Sequence, residues 1–230
     1  MNELFQNSLF AGVTLSLTAY MVGVLLKKKF KIGLFNPLLI SIVVSCVVLI
    51  AGKIDYEVYN EGAKYLSYLL TPATVCLAIP LYEQLELLKK NYKAVLLGLL
   101  AGTVTSLTTV LVLARIFNLS HEEYVTLLPK SITTAIGMGV SEELGGYVTI
   151  TVAVIIITGV LGNMFGELIC KLAKIEEPIS KGLAFGASSH AIGTAKAIEI
   201  GEVEGAMSGL AIAVSGIFTV ILASLFANCI

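Results

Sequence analysis

Charge is what this sequence has least of. Of its 230 residues 13% are Asp, Glu, Lys or Arg and 57% are hydrophobic, with a mean hydropathy of +0.91, whereas a soluble globular chain carries about 25% charged and about 45–50% apolar residues. Too little charge remains to coat a water-facing surface. The formal net charge is −1 and the lysines fall in short scattered clusters, which excludes a nucleic-acid face. The four cysteines, Cys46, Cys76, Cys170 and Cys229, stand singly inside apolar runs, without the close pairing of a disulfide framework or a metal site. The two histidines, His121 and His190, are far apart, and no phosphate-cradling glycine loop is present. Ser189 and His190 are adjacent, which is not a nucleophile-base arrangement. Enzymatic chemistry and bound cofactors are therefore not expected.

Long apolar runs are what the sequence has instead. About 20 apolar residues cross a bilayer once, and such runs occur at 9–26, 37–52, 64–82, 94–116, 147–170 and 204–227. They predict a single all-α integral membrane domain over residues 1–230, with about six full spanning helices. Two less apolar segments, 124–143 and 181–199, are interrupted and read as re-entrant or broken. The acidic start, Met1 to Asn7, followed by an apolar run and then Lys27, Lys28, Lys29 and Lys31, reverses a signal peptide's charge order. The first helix is expected to stay as an anchor. The clusters at Lys27–Lys31 and at Lys89, Lys90 and Lys93 are separated by two crossings, so both can be cytoplasmic. If 124–143 dips in and leaves on the same side, Lys171, Lys174 and Lys181 are cytoplasmic as well. The re-entrant reading is preferred on that ground.

The interrupted segments resemble each other. Thr133–Gly145 (TTAIGMGVSEELG) set against Ser189–Gly201 (SHAIGTAKAIEIG) matches Ala135, Ile136, Gly137, Glu143 and Gly145 with Ala191, Ile192, Gly193, Glu199 and Gly201. Chance agreement between Ala-, Gly- and Ile-rich segments is the alternative to a repeat. As repeats, 124–172 and 180–228 would each hold one interrupted segment and one spanning helix, in opposite orientations, following 9–116 as the N-terminal helices. Many transporters pair interrupted segments near the bilayer midplane in this way. Non-helical backbone at that depth must face protein or a water-filled cavity.

Polar residues concentrate at the interruptions. Lys130 within the membrane costs about 2.5–3.5 kcal/mol unless it has a partner or water. It is either the counter-ion of an anionic substrate, or paired with Glu142 or Glu143, or snorkelling to the interface. The second segment sets Ser188, Ser189, His190, Thr194 and Lys196 among Gly182, Gly186 and Gly193, glycines that would let backbone N–H groups approach a carboxylate. His190 is expected to line a polar site and is a candidate proton carrier. The run 64–82 contains Pro72 and Pro80, which kink or break it and free carbonyls near Tyr68 and Cys76 for a ligand beside Thr71 and Thr74, unless the prolines only shape packing. Asn36–Pro37 reads as a cap and first-turn proline.

Four stretches, taken in order, resemble the LrgB/CidB family along nearly the whole chain: Asn36–Ile40 (NPLLI), Thr71–Tyr82 (TPATVCLAIPLY), Pro129–Thr134 (PKSITT) and Gly186–Ala197 (GASSHAIGTAKA). The chain departs from the family pattern at Ala135, where proline is usual, at Gly137, where alanine is frequent, and at Lys196, where arginine is usual; lysine lacks arginine's bidentate fork. The resemblance implies one of two functions. One is antiholin-like control of murein hydrolase export and autolysis by a membrane oligomer, together with a small LrgA/CidA-like membrane partner. The other is transport of small monocarboxylates of the pyruvate, glycolate, glycerate or lactate class. A carrier in the bacterial cytoplasmic membrane, multi-pass and homo-oligomeric, is the leading expectation, with protons or Na+ as candidate coupling ions. Its substrate-binding residues would be Lys130, Ser131, Thr133, Thr134, Ser188, Ser189, His190, Thr194, Lys196, Thr71 and Thr74, and the first four helices, apart from the broken third, would be mainly scaffold or oligomer interface.

Overall fold

A computed structural model describes residues 5, 8, 10–30, 35–69, 72, 75–76 and 78–230. The chain divides into two compact units, Met1–Cys76 and Leu77–Ile230. The described elements in both are helices.

In the first unit α1 (Ala11–Phe30), α2 (Pro37–Gly52) and α3 (Tyr56–Ser67) pack around α1. A Cβ at Gly23 would crowd the Pro37 backbone, and Ser16 Oγ lies 2.8 Å from Tyr59 OH. Asn36 caps α2 by accepting from the amides of Leu38 and Leu39, with Pro37 at the first turn, as the sequence suggests. Lys27, Lys28 and Lys29 fall within the last turn of α1, so this helix outruns the apolar stretch. The third apolar run is not one spanning helix. α3 begins at Tyr56 with a polar face and ends at Ser67; after a turn at 68–69, Pro72, Val75 and Cys76 are helical again, and the second unit opens with α4 (Ala78–Glu83). Thr71 and Thr74 lie outside the described residues.

The second unit continues with α5 (Leu85–Ile116), α6 (His121–Leu127), α7 (Thr134–Glu143), α8 (Val148–Leu172), α9 (Pro178–Ile200) and α10 (Glu202–Ala227). Among the described residues α5, α8 and α10 are the helices long and apolar enough to cross a membrane. At 1.5 Å per residue α8 is about 37 Å long and α10 about 39 Å, against a hydrocarbon core of about 30 Å. Their ends fix two levels. At one, Arg115 donates to Cys229 O at 2.7 Å and Tyr124 OH to Phe226 O at 3.0 Å. At the other, Leu88 and Val95 of α5 cluster with Ile179 and Leu183 of α9. These are called the Arg115 end and the Lys171 end.

Each interrupted segment is a helical hairpin. The first enters from the Arg115 end: Ser120 and Glu123 form a capping box that starts α6, and Pro129, which has no N–H to donate, ends it. The chain turns over 128–133 and returns as α7. The arms are antiparallel, since Thr151 donates to Thr126 O at 2.9 Å and lies 2.7 Å from Ser141 Oγ. The chain therefore leaves at the end where it entered.

The second hairpin, α9, enters from the Lys171 end and folds back at His190, whose φ of 42° and ψ of −140° break the helix into arms 178–189 and 191–200. Phe185 and Ala197 then share one apolar cluster, which a straight helix at 1.5 Å per residue would hold about 18 Å apart. The break falls on His190 and not on the glycines. Gly182 and Gly186 are packing sites, where a Cβ would crowd the α10 backbone at Glu204 and Ser208. They do not open the backbone to a ligand.

Candidate solute-binding cavity

Both hairpin tips stop near the middle of the three long helices. Ser131 Oγ lies 3.3 Å from Ser106 Oγ of α5. Gly159 and Gly162 of α8 lie under His190 and Ser189, where a Cβ would overlap those side chains. Unravelled backbone at this depth needs internal partners. Asn163 donates to Ile192 O at 2.7 Å and Thr194 to His190 O at 3.0 Å.

Between the tips lies a cavity of about 460 Å³, with walls from α5 (Gly102, Thr105, Ser106, Thr109), the first tip (Lys130, Ser131), α8 (Gly162, Gly166, Ile169, Cys170), the connecting Ile175, and α9 (Ala184, Phe185, Ala187, Ser188). Hydroxyls come from α5, the first tip and Ser188 of α9, an ammonium group from Lys130, and apolar side chains from α8, Ile175 and Phe185. Half-buried Lys130 donates to Ser131 Oγ at 2.8 Å. Among the described residues it has no carboxylate within ion-pair distance, and Glu142 and Glu143 are exposed on α7.

The sequence candidates separate into three groups. Lys130, Ser131 and the exposed Ser188 are on the wall. Ser189, His190 and Thr194 are buried and hold the second tip: Ser189 Oγ lies 2.9 Å from Ser188 Oγ, His190 Nε2 lies 3.0 Å from Ile155 O, and Thr194 Oγ1 lies 2.7 Å from Ser208 Oγ. None of the three lines the cavity. Thr133 and Thr134 also stand off the wall, at the start of α7, where Thr133 O accepts from Gly137 N at 2.8 Å. Lys196 sits between Glu167 at 3.3 Å and Glu199 at 3.4 Å. Its charge is met by these carboxylates, and it is not on the cavity wall.

Sequence reasoning missed the contribution of α5. Thr105, Ser106 and Thr109 supply hydroxyls from a helix expected to be scaffold. Their spacing on one helix face was the available signal. The matched glycines differ in what they approach: Gly137 lies against Ile155 of α8, with Pro129 of the link in ordinary contact, whereas Gly193 of the returning arm lies against Phe185 O and Ser189 of the outgoing one.

Long apolar helices with two inward helical hairpins and a midlevel, largely apolar cavity define a helical membrane protein. The chain belongs to the LrgB-like family, whose sequence profile matches residues 16–229. It is 39% identical over 218 residues to proteins named antiholin-like protein LrgB from Bacillus mycoides (strain KBAB4) and Bacillus cereus (strain B4264), covering 94% of this chain and 95% of each relative. No solved structure matches the chain.

Proposed function

We propose that this chain is a multi-pass protein of the bacterial cytoplasmic membrane that carries a small organic monoanion, of the monocarboxylate class, through the cavity between its hairpin tips. The observation that carries this reading is Lys130, an ammonium group on the cavity wall without a carboxylate partner among the described residues. A buried cation is stable when an anion or water meets it. One lysine matches one carboxylate, the hydroxyls of Ser106, Ser131 and Ser188 can share its oxygens, and the apolar wall suits a short carbon skeleton.

Units 121–172 and 178–227, each a hairpin and a long helix entered from opposite ends, support an inverted repeat and re-entrant hairpins. Lys89, Lys90 and Lys93 share the Lys171 end with Lys171, Lys174 and Lys181, which favours that end as cytoplasmic. The reading involves no enzymatic step and no cofactor, leaves proton or Na+ as the coupling ion, and allows a homo-oligomer with a small LrgA/CidA-like partner.

The relatives' name favours a second reading, in which the chain is an antiholin-like membrane oligomer that controls murein hydrolase export and autolysis with that partner. The name is silent on a solute, and the cavity is silent on lysis. Uptake of labelled pyruvate, glycolate, lactate and glycerate into proteoliposomes, with and without the small partner, separates them. Saturable uptake lost in Lys130→Met supports the carrier. Absence of uptake under every gradient, with lysis control intact in cells, supports the antiholin-like role.

A further inference from the structure

A second cavity of about 170 Å³ lies at the Lys171 end, between the end of α8 and the first arm of α9. Its charged lining includes Glu167, Lys171 and Lys181, groups that belong to an aqueous boundary. It shares Cys170, Ile175 and Phe185 with the larger cavity. Two cavities with common wall residues are neighbours, and these side chains stand between them.

Of the three shared side chains Phe185 is the largest, and it is 2% exposed. Its ring lies across Gly166 so closely that a Cβ there would overlap it. Cys170 is small and fixed in α8, and Ile175 sits in the α8–α9 connection. Phe185, in contrast, rides on the arm that ends at the His190 turn. The ion pair from Glu167 to Lys196 at 3.3 Å ties α8 to the returning arm beside the same junction, and Lys171, one turn along α8, shares the Glu167 carboxylate at 3.0 Å.

We infer that the two cavities are the outer and inner chambers of one solute path opening at the Lys171 end, and that the Phe185 ring is the barrier between them. What passes the ring rests on the carrier reading. The barrier itself is testable without transport, so failure of one does not imply failure of the other.

The experiment uses the full chain in vesicles sealed with the Lys171 end outward, with Cys46, Cys76 and Cys229 replaced by serine. One version carries Cys170→Ser and Glu176→Cys, a thiol that lines the outer chamber alone. The other carries Cys170→Ser and Ser188→Cys, an inner-chamber thiol. Both react with 2-sulfonatoethyl methanethiosulfonate, which forms a mixed disulfide with the cysteine and releases methanesulfinate. With Phe185→Ala the thiol at 188 is expected to react about tenfold faster, while the thiol at 176 changes by less than about twofold. Phe185→Leu, closer in volume and easier to fold, is expected to fall between. A rate at 188 that stays flat across Phe, Leu and Ala, or labelling of 188 solely from the Arg115 end, would overturn the inference. Uptake assays on the unmodified protein test the carrier reading separately.

Discussion

The first hairpin turns through Pro129 and an irregular link over 128–133, and the second turns at one residue, His190, in a conformation that costs about 1–3 kcal/mol for a side-chain-bearing residue. This difference decides what each tip has left to offer. In the first, the link bends without such a backbone outlier, so Lys130 and Ser131 face the cavity. In the second, the polar side chains are committed to holding the turn, His190 near Ile155 O, Thr194 near Ser208 and Asn163 on Ile192 O. Ser188 alone among that segment's candidate ligands reaches the wall. Two segments with matching sequence thus divide the work: one supplies charge, the other mainly shape.

The comparison breaks most readily at the two lysines. Lys130→Met is expected to weaken binding of a small carboxylate about 30-fold or more, the equivalent of 2 kcal/mol or above for removing a buried charge partner. Lys130→Arg should keep part of that affinity. Apparent KM for uptake is the readout.

The glycines beneath the tips sharpen it next. Gly162→Ala sets a methyl against Ser189 at the strained turn and should destabilise the protein by about 1–3 kcal/mol, as overpacking does. Gly137→Ala meets the far end of the flexible Ile155 side chain and should cost less. Thermal unfolding in detergent ranks the two, and an equal loss would deny that the second tip is the tighter one.

At His190 the strain can be separated from the hydrogen bond. Ala and Gly both lose the Ile155 contact, but Gly also relieves the positive φ, so His190→Gly should be more stable than His190→Ala by about 1 kcal/mol. The smallest effect is expected at Lys196→Gln. Its side chain is 21% exposed and shared between two glutamates, so the loss should be about 1 kcal/mol or less, with carboxylate KM changed by less than about twofold.

Much of this architecture is legible in the sequence. Asn36–Pro37 announces the start of α2, and the apolar runs locate the cores of α5, α8 and α10. The two polar interruptions mark the hairpins. What stayed hidden has physical causes. Glycines signalled the second break, yet the helix breaks at a histidine because packing against Gly159 and the contact with Ile155 O hold it there, while Gly182 and Gly186 serve close approach to α10. The α5 hydroxyls looked like ordinary membrane-helix residues because they bond back along the helix, as Thr105 does to Ala101 O and Thr109 to Thr105 O. The pairing of Lys196 with Glu167 joins two helices, which local spacing does not reveal. The run 64–82 is apolar enough for a span, but α3 starts earlier, at Tyr56, and stops at Ser67 ahead of Pro72.

The central claim is an anion site at Lys130 between the hairpin tips. Equilibrium binding of a labelled small monocarboxylate, pyruvate or glycolate, to the purified protein tests it most directly, with Lys130→Met and Lys196→Gln side by side. The account predicts saturable binding that Lys196→Gln retains and Lys130→Met loses. Equal binding in the two variants, or loss in Lys196→Gln with retention in Lys130→Met, would contradict it.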